Sequence, residues 1–189
     1  MKIGVLALQG AFIEHSNILK KLEISPVEIR QRDHFSDNLD GLIIPGGEST
    51  VIGKLLRDQN LLEPIKDAVF NKMPTFGTCA GLILLAKQIE KTGAGAIPAL
   101  DIHVKRNAYG RQLGSFSKTA HFKDLGEIPM VFIRAPQIIK TYGAAEQLAE
   151  IDGKTVAVRQ GRILATAFHP ELTEHTGIHE YFVQSCIKN

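Results

Sequence analysis

Short apolar runs alternate with helical patterns through the first half of this chain. Strands without polar alternation are typical of parallel sheets, because such strands are buried on both faces. The predicted strands are Ile3–Leu8, Val27–Arg30, Gly41–Ile44 and Pro74–Gly77, and the predicted helices span about 11–22, 49–57, 61–70 and 80–87. The alternation therefore predicts a parallel sheet with helices on both faces.

Short strand candidates with few helices between them fill the second half. They are Asp101–Arg106, Ser115–Phe122, Met130–Arg134, Thr155–Arg159 and Ile163–Phe168, and a final helix is predicted over about 176–187. Gly153 and Gly161 lie at predicted hairpin turns, so we expect antiparallel additions to one edge of the sheet. The predicted fold class is α/β, with a three-layer, mostly parallel, flavodoxin-like sheet and antiparallel additions in the C-terminal half. We expect one domain over residues 1–189.

Length, charge and cysteine content limit the classes of function. The 189 residues are 44% hydrophobic and 22% charged, which is the balance of a globular protein. A net charge of +2 without any Lys/Arg-rich run gives no reason to expect a nucleic acid partner. The run Ile3–Leu8 is too short to span a membrane and no cleavage site follows it. Cys79 and Cys186 lie far apart, and we expect reduced thiols in the cytoplasm.

The segment Pro74–Ala86 carries the most informative motif, Gly77-Thr78-Cys79-Ala80-Gly81. A strand that enters Gly-x-Cys-x-Gly and then a helix is the cysteine form of the nucleophile elbow. Larger residues at the two glycines would collide with a neighbouring strand or helix. The turn predicts a sulfur at the carboxyl ends of the strands, where open α/β sheets bind ligands. The positive end of the helix favours a thiolate, and the Ala80 N–H can face a carbonyl oxygen under attack.

Two further residues complete a predicted triad. A thiolate nucleophile needs an imidazole to move a proton and a third group to orient it. His169 ends an apolar run and is followed by Pro170-Glu171, so the Glu171 carboxylate can reach the other imidazole nitrogen. Alone, this pattern is equally consistent with a surface loop, and a buried apolar role is the alternative for Cys79. Together the two motifs predict a Cys79–His169–Glu171 triad.

The remaining histidines have simpler interpretations. His15 lies on a predicted helix and His34 in a polar loop. His175 and His179 are spaced as metal ligands can be, but no third ligand accompanies them. We therefore predict no metal site and no cofactor.

With both motifs placed, the sequence resembles the class I (triad) glutamine amidotransferases, and within them the glutaminase subunits of pyridoxal 5′-phosphate synthase. The resemblance covers nearly the whole chain in family order. The matching segments are Leu6–Gly10 with Glu14-His15, Leu42–Thr50, Phe76–Ala86, Lys105–Gln112, Val131–Pro136 and Phe168–Thr173. The Gly-Gly-Glu-Ser-Thr and Arg-Asn-x-x-Gly-Arg-Gln segments separate this subfamily from amidotransferases of other pathways.

The resemblance implies that the chain hydrolyses L-glutamine to L-glutamate and ammonia through a γ-glutamyl thioester. It implies a partner, the synthase subunit, a (β/α)₈ barrel that receives the ammonia and makes the vitamin B6 cofactor. Family members form large hetero-oligomers of both subunits. No nucleic acid or membrane partner is implied.

The resemblance also implies roles for residues outside the triad. The N–H groups of Gly47 and Ala80 would form the oxyanion hole. The implied glutamine-binding residues are Gly47, Glu48, Ser49, Arg106, Ile133 and Arg134. From local sequence alone, a plain glycine turn or a phosphate-binding loop remains open for 45–49, and a solvated surface position for either arginine. Gln9 ends the first strand, and we hypothesise that it helps to transmit partner docking.

Three other functions are consistent with parts of the pattern. A stand-alone cysteine hydrolase or peptidase has a similar elbow and would act without a partner. A non-catalytic binding module keeps the fold, although the intact triad argues against it. An amidotransferase of another pathway shares the triad, but the Arg106–Gln112 segment disfavours it.

Overall fold

A nine-stranded sheet and a three-stranded sheet form the framework of the computed structural model, which describes residues 1–106 and 114–188. The strands are β1 (Lys2–Leu6), β2 (Ser25–Ile29), β3 (Gly41–Ile44), β4 (Thr75–Thr78), β5 (Ala86–Ile89), β6 (Leu100–Lys105), β7 (Ser115–Phe122), β8 (Gly126–Ile133), β9 (Gln137–Thr141), β10 (Glu146–Ile151), β11 (Lys154–Gln160) and β12 (Ile163–Thr166). The helices are α1 (Phe12–Lys21), α2 (Ser49–Asp58), α3 (Leu62–Phe70), α4 (Ala80–Leu85) and α5 (Gly177–Phe182).

The large sheet has the order β2-β1-β3-β4-β12-β11-β10-β7-β8. Strands β2, β1, β3, β4 and β12 are mutually parallel, and β3 and β4 are buried along their whole length. From β12 outward, every pairing is antiparallel. The predicted α/β class, with a parallel half and antiparallel additions at one edge, is confirmed.

Helices cover the two faces of the parallel half, as β4 shows. Successive side chains of a strand point to opposite faces. Phe76 contacts the His15 ring of α1 and the Phe182 ring of α5. The next residue, Gly77, faces Gly81 and Leu85 of α4 instead. The carboxyl end of β4 is therefore enclosed between two helical layers.

The three-stranded sheet, in the order β5-β6-β9, is absent from the sequence prediction. The helix predicted to reach about Lys87 ends at Leu85, because the chain turns extended at Ala86 and pairs β5 with β6. Strands β9 and β10 were also missed. The partner of β9 is the distant strand β6, and pairing between distant segments overrides the local apolar pattern in such a short strand. Strand β10 pairs with its neighbour β11 and with the distant strand β7.

The C-terminal segment is less regular than the single helix predicted for it. Helix α5 continues into a π-helical turn over Val183–Ile187, which buries Val183 and Cys186. The two longest helices, α1 and α2, have ten residues each. None of the helices within residues 1–106 and 114–188 is long and apolar enough to cross a membrane.

The predicted hairpin turns lie where expected, at both ends of β11. Asp152 and Gly153 join β10 to β11 with φ angles of 50° and 72°, and Gly161 joins β11 to β12 with φ 58°. Two successive positive φ angles define the turn that matches the twist of a hairpin. Glycine adopts this conformation without steric cost, which explains its position in both turns.

We expect Gly153→Ala to destabilise the fold by about 1–2 kcal/mol, the cost of a left-handed conformation for a residue with a Cβ. Space does not limit the change, since an added Cβ meets nothing within 4 Å. Gly114→Ala is the matched control, because it has equal space and no positive φ. We expect it to change stability by less than about 0.5 kcal/mol. Urea unfolding measures both, and equal effects would contradict the conformational explanation.

Candidate active site

Cys79 occupies a strained turn between β4 and α4. Its φ and ψ angles are 47° and −94°, a region that residues with a side chain rarely adopt. The Cys79 N–H donates to the Thr166 carbonyl of β12 at 2.8 Å, and the Cys79 carbonyl accepts from Ile83 in α4. Hydrogen bonds to the neighbouring strand and to the helix thus stabilise this strained conformation. The turn has the geometry of a nucleophile elbow.

The glycines on either side permit this turn to form. A Cβ on Gly81 would overlap the Ile44 carbonyl oxygen of β3, and a Cβ on Gly77 would lie 2.8 Å from the Gly81 carbonyl carbon. Strand β3, strand β4 and helix α4 therefore approach each other at backbone distance. The predicted reason for both glycines is confirmed.

His169 reaches Cys79 from the segment that follows β12. Its backbone N–H donates to the Val131 carbonyl of β8 at 2.7 Å, and Pro170–Leu172 forms a 3₁₀ turn directly after it. This turn brings Glu171 back, so that Glu171 Oε1 lies 2.7 Å from His169 Nδ1. The imidazole and Cys79 lie on the same cleft, and both lie against the backbone at Gly46. The three predicted triad residues are thus brought together, and each is at most 6% exposed.

Opposing effects act on the His169 imidazole. Burial lowers its pKa, but the interactions of the imidazole with Cys79 and Glu171, through hydrogen bonding and charge, outweigh burial and raise the pKa to about 10. The imidazolium form is therefore favoured between a sulfur and a carboxylate. An imidazolium beside a thiol promotes the thiolate, which is the nucleophilic form of cysteine.

The loop after β3 approaches the His169 imidazole. A Cβ on Gly46 would overlap the His169 ring, so the backbone of the loop packs directly against the imidazole. The Gly46 carbonyl accepts from the Ala11 N–H at 3.0 Å, and the Glu48 N–H donates to Gln9 Oε1 at 2.8 Å. Gln9 thus contacts the predicted oxyanion loop, as its position in the sequence indicates.

A cleft of about 290 Å³ opens above the sulfur. Most of the predicted site residues line it, together with Gln9 and Ile83: Gly47, Glu48, Ser49, Cys79, Arg106, Ile133, Arg134 and His169. Glu171 lies behind His169, and Ala80 begins α4 beside the sulfur, where its N–H has no partner in the helix. The volume is at the low end for a ligand pocket, which suits a small molecule.

Two arginines approach the cleft by different routes. Arg106 follows β6, and its Nε is buried without a hydrogen-bond partner within the described residues. Arg134 follows β8 with φ 42°, and its N–H donates to the Gly114 carbonyl. The Ile133 carbonyl lies 3.9 Å from the Cys79 sulfur. The rest of the matching segment, residues 107–112, lies outside the described residues.

Sequence reasoning missed two histidines behind the triad. His15 of α1 and His179 of α5 are fully buried and in contact with each other. His15 also approaches Glu171. The only signal for His15 was its place in the Glu14-His15 part of the family segment, and His179 had none. In the part of the chain that the structure describes, no group of three or more metal-ligating side chains is present.

The fold and the site define a class of protein. A cysteine on a strand-to-helix turn, linked by an imidazole to a buried carboxylate, is the arrangement of enzymes that attack a carbonyl carbon through sulfur. Within that class, the chain belongs to the SNO glutamine amidotransferase family, whose model matches residues 5–188.

Individual relatives agree with this family. The chain is 52% identical to the pyridoxal 5′-phosphate synthase subunit PdxT of Streptococcus pneumoniae strain CGSP14, covering 98% of this chain and 97% of that protein. It is 51% identical to PdxT of strain ATCC 700669, over 98% of both chains. A crystal structure of a glutamine amidotransferase superposes with TM-score 0.92 at 44% identity, covering 97% of this chain and 98% of the other.

The two cysteines provide an internal comparison of reactivity. We expect iodoacetamide to label Cys79 at neutral pH and to leave Cys186 unlabelled, because burial raises the pKa of the Cys186 thiol to about 11. His169→Ala should slow labelling of Cys79 by about tenfold or more, because it removes the imidazole that moves the thiol proton. Peptide mass spectrometry over time measures both sites. Equal labelling of the two cysteines would contradict the proposed electrostatics.

Proposed function

We propose that this chain is the glutaminase subunit of a pyridoxal 5′-phosphate synthase and hydrolyses L-glutamine to L-glutamate and ammonia. The observation that carries the proposal is the buried group at the base of a small cleft, where Cys79 and His169 line the cleft and His169 is hydrogen-bonded to Glu171. Membership of a glutamine amidotransferase family and near full-length similarity to PdxT support the same conclusion. The cytoplasm, where thiols stay reduced, is the compartment that suits it.

In the proposed reaction, His169 accepts the thiol proton and the Cys79 sulfur attacks the side-chain amide carbon of glutamine. The N–H groups of Gly47 and Ala80 stabilise the oxyanion of the tetrahedral intermediate. His169 then protonates the amide nitrogen as the C–N bond breaks, so that the nitrogen leaves as ammonia. Water hydrolyses the γ-glutamyl thioester with His169 as general base, which restores the thiol. Glu171 holds the imidazole throughout.

The rest of the cleft is proposed to hold the amino acid part of glutamine. An arginine fork suits the α-carboxylate because it can donate two parallel hydrogen bonds. Arg106 has a buried Nε without a partner among the described residues, as expected for a group that awaits an anion. Glu48 and Ser49 complete the proposed binding surface with the backbone at Ile133 and with Arg134.

The ammonia is proposed to pass to a synthase subunit, a (β/α)₈ barrel, within a large hetero-oligomer. Gln9 is a candidate for communication with that partner. Its side chain holds the Glu48 N–H at 2.8 Å, next to the proposed oxyanion donor Gly47. A change in this hydrogen bond on docking would move the Gly47 N–H relative to the oxyanion that it is proposed to stabilise. Loss of one such donor costs on the order of 10²–10³ in rate.

We expect Cys79→Ala to abolish ammonia release from glutamine, because no other group on the cleft can form the thioester. Cys186→Ala is the matched control and should leave the rate unchanged, since Cys186 lies buried in the C-terminal turn. A glutamate dehydrogenase-coupled assay with and without the synthase subunit measures both. Ammonia release that survives Cys79→Ala would refute the proposal. A rate that the synthase leaves unchanged would favour a stand-alone hydrolase.

Glu171→Gln should lower kcat by about 10²–10⁴-fold, the range of general acid–base contributions. It should also move the alkaline limb of the pH–rate profile to lower pH. The Glu171 charge and hydrogen bond raise the pKa of His169, so removing that charge lets the imidazolium lose its proton earlier. Glu174→Gln is the control, since Glu174 is exposed and bonds Lys21. An unmoved limb would show that Glu171 does not set the His169 charge.

A further inference from the structure

Two buried histidines lie directly behind the triad. His15 and His179 come from α1 and α5, and both are 0% exposed. His15 Nδ1 lies 2.8 Å from His179 Nε2. The Phe76 ring of β4 contacts both imidazoles edge-on, with centroid distances of 5.9 and 5.6 Å. The two rings are therefore fixed in orientation inside the helical layer.

The pair approaches the triad through Glu171. One carboxylate oxygen, Oε1, is occupied by His169. The other, Oε2, is buried and makes no hydrogen bond within residues 1–106 and 114–188. The His15 Nε2 atom lies 3.5 Å from it and 3.2 Å from the Thr78 hydroxyl. A 3.5 Å contact is long for a hydrogen bond, but such contacts in unliganded enzymes often tighten when substrate binds.

Full burial favours the neutral form of both rings. Burial, followed by the charges of His179 and His169, lowers the pKa of His15 well below its usual value. Burial alone lowers the pKa of His179 to about 3. A neutral imidazole has one donor nitrogen and one acceptor nitrogen. The 2.8 Å contact therefore contains a single hydrogen, which belongs either to His15 Nδ1 or to His179 Nε2.

The Glu171 carboxylate discriminates between these two arrangements. If the hydrogen is on His15 Nδ1, the lone pair of His15 Nε2 can accept from the Thr78 hydroxyl, but it also faces a buried carboxylate oxygen, which is repulsive and leaves that oxygen without a donor. If it is on His179 Nε2, His15 Nε2 carries a hydrogen that points toward Glu171 Oε2 and the Thr78 hydroxyl. The second arrangement places a donor beside an otherwise unsatisfied anionic oxygen, which is the favourable one.

We infer that His15 is a positioning residue for the proposed glutaminase reaction, held by His179 in the tautomer whose Nε2–H faces Glu171. His15 fixes the second carboxylate oxygen, so the first remains aligned on His169. Without His15, the buried oxygen Oε2 loses the donor that faces it at 3.5 Å. The carboxylate can then turn, and the imidazole loses its orientation. The inference rests on the proposed function for its kinetic consequence, but not for the tautomer itself.

The charged and titratable groups around Glu171 come from three segments. His169 lies in the chain just before the 3₁₀ turn, His15 faces the turn from α1, and His179 supports His15 from α5. Glu171 is thus held between two imidazoles of different charge state. The His169 side carries the reaction proton, whereas the His15 side is a fixed donor.

The kinetic test compares three substitutions in the chain with its synthase subunit. We expect His15→Leu to lower kcat by about 10–100-fold, a loss like that of outer groups that orient the ligands of a metal site. We expect little change in KM. His15→Gln retains an N–H near the Nε2 position and should keep most of the activity. His34→Leu, at an exposed site, is the control and should have no effect. Thermal unfolding establishes that each variant is folded.

Nitrogen-15 NMR of the imidazoles in the unsubstituted chain tests the tautomer independently of activity. We expect His15 to be protonated at Nε2, and His179→Leu to allow the hydrogen to move to Nδ1. Protonation of His15 at Nδ1 in the unsubstituted chain would overturn the inference, whether or not His15→Leu folds. A folded His15→Leu variant with full kcat would also overturn it. Activity that persists in Cys79→Ala would instead remove the proposed function and leave the tautomer result standing.

Discussion

Close backbone approach between β3, β4 and α4 is the constraint on which the site depends. The Ile44 carbonyl lies where a side chain at position 81 would be, so α4 begins almost in contact with the sheet. At this close approach of the helix to the sheet, the chain passes from β4 to α4 through a single residue, Cys79. The strained residue is Cys79, whose positive φ is stabilised by backbone hydrogen bonds to Thr166 and Ile83. This backbone conformation directs the sulfur out of the sheet, toward the cleft.

Electrostatics inside the site follow from what surrounds each imidazole. His169 lies between a sulfur and a carboxylate, and their effect overcomes burial, so its positive form is favoured. His15 and His179 lie deeper, where burial dominates and lowers the pKa of each. The Glu171 carboxylate separates the two environments. The surroundings alone thus shift the pKa values of identical side chains in opposite directions.

The parts that could be predicted from sequence are those determined by neighbours along the chain. The elbow at Cys79, the return of Glu171 to His169 and the turn at Gly153 all need only local chemistry. The strand pairing β5-β6-β9 and the contact of His15 with His179 join distant segments, the latter 164 residues apart. Helical position made His15 look like an ordinary core residue. Only the folded arrangement shows that its ring faces a carboxylate oxygen without another donor.

The antiparallel half of the sheet has a function beyond extending it. Strand β8 is four positions from β12 in the sheet order, yet the His169 N–H bonds the Val131 carbonyl of β8. Phe132 and Phe168 also contact each other, so the outer strands curve back over the end of the parallel half. This curvature brings Ile133 and Arg134 to the cleft. Because the same strand holds the His169 backbone and lines the cleft, a displacement of β8 would move the imidazole and the cleft wall together.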